Sequence, residues 1–195
     1  MHNLGIVNPK GGVAKTTSCV NIAAVLAERG KRVLVVDLDP QGGLTISLGF
    51  NPDEYNQTIY HVLLEQIPLE EVIIPTNISN VNLAATNLDL AGIEAASREI
   101  GWEYILKDAL ATVAERYDYA LLDCPPYLGR LLSNALIASH LILIPLQCEE
   151  LAFRALKLTN RFITKIRQRA NPNVKVRILR TMYSSNTKHS QQVSQ

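Results

Sequence analysis

Cysteine is scarce in this chain of 195 residues. Cys19, Cys124 and Cys148 are odd in number and form no CxxC pair, which excludes a disulfide frame and a cysteine zinc site. The four histidines show no metal-ligand spacing either. No apolar run approaches the roughly 20 residues that cross a bilayer, and no signal peptide opens the sequence. Together these absences make the cytoplasm the expected compartment. Hydrophobic residues at 47% and charged residues at 19% describe a soluble globular protein. The length is one domain's worth, enough to bury roughly 70% of the unfolded surface.

Acid is missing locally. Residues 151–195 hold ten basic side chains and no acidic one, although the whole chain has a net charge of only +1. The first 150 residues therefore carry nine basic groups against all 18 acidic ones. Asymmetry of this kind points to a polyanionic partner, or to a positive end that folds against the negative part.

Apolar runs alternate with helical patterns along the sequence. The strands read as Leu4–Val7, Arg32–Asp39, Val81–Ala85, Tyr119–Asp123, His140–Pro145 and Val174–Arg180. Thr16 to Arg29 reads as a helix with Val20, Ala23, Ala24 and Ala27 on one face and Gly30 as its stop. Further helical stretches are "TIYHVLLE", residues 94–117 with a break at Gly101, "LLSNALIA", and Ala152 to Arg169. Strands apolar throughout, separated by helices, imply a parallel sheet covered on both faces. The expected fold is α/β: a single doubly wound, P-loop NTPase-like domain with a mostly parallel central sheet.

Ligands in such folds sit beyond the carboxyl ends of the strands. "NPKGGVAKTT", Asn8 to Thr17, lies there, between the first strand and the first helix. It does not match the spacing G-x-x-x-x-G-K-[ST], because Pro9 and Ala14 stand where that pattern has glycine. The chemistry is nonetheless that of a phosphate loop. Gly11 and Gly12 admit a phosphate closely and can adopt positive φ. A helix N-terminus backs the loop. Lys15 can reach β- and γ-phosphates, and the Thr16 hydroxyl can ligate Mg2+. Ala14 is expected at negative φ, where its methyl is tolerated.

The segments "KGGVAKTT", "VVDLDPQGG", "LLDCPP", "LIPLQCE" and "TMYSSNT" resemble the deviant Walker ATPases of the ParA/Soj type, in family order over essentially the whole chain. The family's loop reads KGGxxK[ST], which accounts for Pro9 and Ala14. The resemblance implies an ATPase that binds ATP and Mg2+ and dimerises with ATP sandwiched between subunits. It further implies nonspecific DNA binding in plasmid or chromosome partitioning, association with the nucleoid, and slow hydrolysis stimulated by a ParB-like partner.

By the same resemblance, the nucleotide site is Lys10, Gly11, Gly12, Val13, Ala14, Lys15, Thr16 and Thr17, with Met182 and Tyr183 lining the base. Lys10 matches the signature lysine that touches the partner's ATP, Lys15 serves its own subunit, and Asp39 matches the aspartate that positions the attacking water. Thr16, Asp37 and Asp123 form the expected metal set. Departures are Ser184, Ser185 and Asn186, where relatives commonly carry Asp-x-Arg. The resemblance also implies that residues 1–195 are one ParA-like domain lacking the family's C-terminal strand and helices.

On the last long helix, Arg154, Lys157, Arg161 and Lys165 recur at steps of 3, 4 and 4, forming one stripe suited to nucleic-acid phosphates. Leu151, Ala155, Leu158 and Phe162 are expected nearer another face. Two other readings stay open: a MinD-like or organelle-positioning ATPase acting on a membrane or other cargo, and a metabolic relative such as an iron–sulfur reductase or small-molecule ligase.

Overall fold

The computed structural model describes residues 1–95, 100–147 and 152–183, the side chains of 152–155 excepted. Seven strands form one sheet: β1 (His2–Ile6), β2 (Val33–Asp37), β3 (Ile73–Pro75), β4 (Val81–Ala84), β5 (Tyr119–Asp123), β6 (Leu141–Gln147) and β7 (Lys175–Thr181). Their order is β3-β4-β2-β5-β1-β6-β7, with every pairing parallel except β3 against β4. The expected fold class is borne out. The central strands are mostly apolar because both faces are covered, and all five residues of β2 are buried.

The helices are α1 (Lys15–Glu28), α2 (Gly43–Ser47), α3 (Ile59–Leu64), α4 (Ile105–Thr112), α5 (Arg130–Ala138) and α6 (Ala152–Arg169). Cys19, Ala23 and Ala27 of α1 and Leu44 of α2 pack against Val33, Val35 and Leu121 in one core. The opposite core takes Ile59, Leu106, Leu131 and Ile163 from α3, α4, α5 and α6. The sheet is thus wound on both sides.

Two local expectations change. Residues 94–117 are not one long helix. Two 3-10 turns, Leu88–Glu94 and Trp102–Tyr104, precede the short α4, while residues 96–99 lie outside the described residues. Gly101 does break the pattern, at φ 88. On α6, Thr159 and Ile163 face the core while Lys157, Arg161 and Lys165 are exposed, as the stripe requires. Leu158, however, is 51% exposed, because it lies about 100° round the helix from Thr159. Leu151 and the side chains of Arg154 and Ala155 lie outside the described residues.

Asn171 ties α6's exit to α5. Its Nδ2 donates to the carbonyls of Leu136, Ile137 and Ser139 at 3.0, 3.2 and 2.7 Å, satisfying helix-end acceptors. Asn171→Ala should lower unfolding free energy by about 1–3 kcal/mol, measured by urea denaturation.

Candidate functional site

Parallel pairing sets the site. The register places Asp37 opposite Asp123, and Ile6, the last residue of β1, opposite Asp123 as well. The loop after β1 and two strand-end carboxylates therefore meet at one sheet edge. Asn8 roots the loop: its Nδ2 donates to Pro145 O at 2.6 Å and its Oδ1 accepts from Lys10 N at 2.9 Å. The Lys15 ammonium folds back across the loop and donates to Lys10 O at 3.2 Å.

The loop interior is open. A Cβ built on Gly11 or Gly12 would meet nothing within 4 Å. Gly12 has φ 71, whereas Gly11 is not in the left-handed region. Ala14 corrects the expectation of negative φ: it sits at φ 68, ψ 34 as the N-cap of α1. A non-glycine residue held there costs on the order of 1 kcal/mol. No side chain caps α1, and its first turn holds no acid, so its N-terminal N–H groups remain available to an anion.

Thr16 Oγ1 donates to Asp123 Oδ2 at 2.6 Å, and Asp123 Oδ1 is buried with no hydrogen-bond partner among the described residues. Burial pushes Asp123 up to about 6, although the Thr16 hydrogen bond and the Lys15 charge pull the other way. Lys15 is itself lowered by burial and raised by Asp123 and Asp39. Hard oxygens beside an orphaned carboxylate oxygen fit a divalent cation such as Mg2+, held by Thr16 and Asp123.

Asp37 is occupied differently. Its Oδ2 accepts from Thr45 N and Thr45 Oγ1, both at 2.8 Å, and its Oδ1 accepts from Asp39 N at 3.2 Å. It therefore braces the turn that carries Asp39 onto α2. Burial pushes Asp37 up to about 7, and Asp123's charge adds to the shift. Asp39 is half-buried and accepts from Gln41 N at 3.1 Å. Lys10 Nζ reaches Gln147 Oε1 at 3.4 Å on its own β6.

Val13 is buried, and its carbonyl accepts from Thr181 Oγ1 at 3.2 Å, which brings the end of β7 to the loop. Met182 and Tyr183 follow, 60% and 46% exposed, with the Arg180 guanidinium 5.1 Å from the Tyr183 ring centroid. Thr17 is exposed on α1. Cys148 and Ser184 to Asn186 lie outside the described residues. Sequence reasoning missed Asn8 and Thr45. Thr45 carries no signal beyond standing in the stretch after β2, and Asn8 none beyond heading the loop.

A family model described as "AAA domain" matches residues 1–176. The chromosome partitioning protein ParA of Myxococcus xanthus is 42% identical over 190 residues, covering 96% of this chain and 67% of that protein. This chain belongs to the ParA family of P-loop ATPases. Another ParA-family relative, the sporulation initiation inhibitor protein Soj of Bacillus subtilis, is 38% identical, covering 94% of this chain and 74% of that protein. A solved structure of cobyrinic acid a,c-diamide synthase from Mycobacterium smegmatis, with an ATP analogue and magnesium, superposes at a TM-score of 0.95. It is 44% identical and is matched over 100% of this chain and 80% of its own.

Both carboxyls bind protons more tightly folded than unfolded, so their ionisation withdraws stability as pH rises from 3.8 towards about 7. Asp123→Asn should relieve this, gaining on the order of 2 kcal/mol relative to the unsubstituted chain between about pH 4.5 and about pH 7.5. Urea titrations of both proteins without magnesium or nucleotide check it.

Proposed function

We propose that this ParA-family chain is an Mg-dependent ATP hydrolase that dimerises on ATP, binds DNA without sequence preference and acts in DNA partitioning. The observation that carries the ATPase part is the open diglycine loop closed by Lys15, beside a Thr16–Asp123 pair with an unpartnered carboxylate oxygen.

Each residue has a physical task. N–H groups of Gly11 to Thr16 face the phosphates, and Thr17 contacts the α-phosphate. Lys15 places a desolvated ammonium against β- and γ-oxygens, where a charge acts more strongly than in water. Thr16 and Asp123 hold Mg2+. Bound Mg2+ neutralises charge that develops on the phosphate oxygens. Asp39, on the turn braced by Asp37, orients the attacking water. Catalysis is then positioning and electrostatics, with no covalent step. Met182 and Tyr183 flank the base.

Lys10 stands at the mouth of the loop, and its charge is offered to a second subunit's ATP. Dimerisation then depends on nucleotide, a coupling between binding and association. Exposed Lys157, Arg161 and Lys165, with Arg154 on the same helix, supply a stripe for DNA phosphates. A ParB-like partner would accelerate hydrolysis, and the dimer would sit on the nucleoid. Residues 1–195 act as one unit in this reading.

The likeness to the M. smegmatis diamide synthase favours a second reading, an ATP-dependent amide synthase. ATP turnover that requires an added carboxylic acid and a nitrogen donor, and ignores DNA, would select it. A MinD-like or organelle-positioning role would be selected by capture on anionic vesicles or on a non-DNA cargo; no helix among the described residues is long and apolar enough to cross a membrane.

Lys15→Ala should lower ATP hydrolysis by about 100-fold or more, measured by phosphate release. With a slowly hydrolysed ATP analogue, Lys10→Ala should elute as a monomer in sizing chromatography while the unsubstituted chain elutes as a dimer. Reversing the charges of Arg154, Lys157, Arg161 and Lys165 should abolish retention of random-sequence DNA and leave analogue-induced dimerisation intact.

A further inference from the structure

The loop leaving Asp123 runs through Cys124, Pro125, Pro126, Tyr127 and Leu128 to Gly129, where α5 begins. Its far end is gripped by a residue remote in sequence. The Glu94 carboxylate accepts from Arg130 N at 2.8 Å through Oε2 and from Leu131 N at 3.2 Å through Oε1. Gly129 has no capping side chain of its own, so Glu94 satisfies these helix-start donors and sets a negative charge at the positive end of α5. A side chain at 129 would push this carboxylate aside: a Cβ there would fall 2.5 Å from Glu94 Oε1 and 2.7 Å from its Cδ. Since Gly129 has φ −137, what a larger residue would disturb here is the Glu94 carboxylate and not the backbone conformation.

The grip is reinforced on both sides. Arg130 Nη1 donates to Ile93 O at 3.1 Å, and its guanidinium lies 4.8 Å from the Trp102 ring centroid. Fully buried Asn134, one turn further along α5, accepts from Leu106 N at 3.1 Å and donates to Trp102 O at 3.2 Å. Helix α5 and residues 93–94 and 102–106 are therefore joined at Glu94, Arg130 and Asn134. The loop from Asp123 to Gly129 links that joined body directly to the tip of β5. At its near end the Asp123 carbonyl accepts from Leu38 N at 2.9 Å, so the loop starts beside the turn bearing Asp39.

We propose that Glu94 is a positioning residue for ATP hydrolysis: by clamping α5 it fixes the far end of the loop that leaves Asp123, and so holds that carboxylate in place beside the turn bearing Asp39. The proposal rests on the ATPase reading above. The Glu94 carboxylate is taken up by Arg130 N and Leu131 N, so its removal acts on the placing of the loop and not on the phosphate cradle.

The test is steady-state ATP hydrolysis with magnesium by the full chain, with ATP affinity measured separately using a fluorescent analogue. Glu94→Ala should lower kcat by about tenfold or more, since small misplacements of catalytic groups carry costs of that size. Analogue affinity and KM should stay within about threefold. Glu94→Gln, whose amide oxygen can still accept one of the two N–H groups, should retain an intermediate kcat. Gly129→Ala, which drives a methyl into the carboxylate, should reproduce the Glu94→Ala loss with residue 94 intact. Emission of Trp102, the single tryptophan, reports whether Arg130 has left the ring in each variant. If Glu94→Ala does not fold, the Gln and Gly129 variants decide alone. A kcat unchanged in folded variants whose Trp102 emission has shifted overturns the proposal. So does a loss confined to thermal stability. If the unsubstituted chain neither binds the analogue nor releases phosphate, it is the ATPase reading that has failed, and the proposal falls with it.

Discussion

Two carboxylates on adjacent parallel strands, Asp37 and Asp123, are forced side by side at the tip of the sheet by the β2–β5 register. Burial pushes each side chain well above the usual carboxylate range, and the charge of Asp123 adds to the shift of Asp37. The surroundings read as an answer to that constraint. Thr45 and the Asp39 amide donate three hydrogen bonds to Asp37, so it becomes a bracket for the following turn. Asp123 is answered only in part, by Thr16 and the nearby Lys15 ammonium. The two expected metal carboxylates thus differ in their surroundings: both Asp37 oxygens accept hydrogen bonds, whereas one Asp123 oxygen has no partner among the described residues.

Much of this was legible because buried parallel strands leave a plain mark. The run "YALLD" is β5 with the same limits, and Ala152 to Arg169 is α6 with the same limits, since one is continuously apolar and the other amphipathic over many turns. β3 escaped notice: it has three residues, ends in proline and lies on the antiparallel edge, where the apolar signal is weakest. The five-residue α2 begins at a glycine and carries no period long enough to read. The 3-10 turns before α4 share apolar content with a helix but not its pitch.

At the site, the loop residues and strand-end aspartates were readable from spacing, whereas their supports were not. Asn8 to Pro145, Thr45 to Asp37 and Glu94 to Arg130 are hydrogen bonds between residues 137, 8 and 36 positions apart. Such pairs obey no short period. Their partners are set only once the sheet order is known, and that order places β1 between β5 and β6, far from sequence order.

Ala14 bears on the shapes open to the loop. With φ 68, its methyl excludes much of the conformational space that glycine would leave open. A glycine at that position would sit there more comfortably, yet would let the turn wander among many shapes before any guest arrives. The alanine trades local comfort for a narrower ensemble. Less disorder is then quenched on capture, and the donors meet an incoming triphosphate already converged.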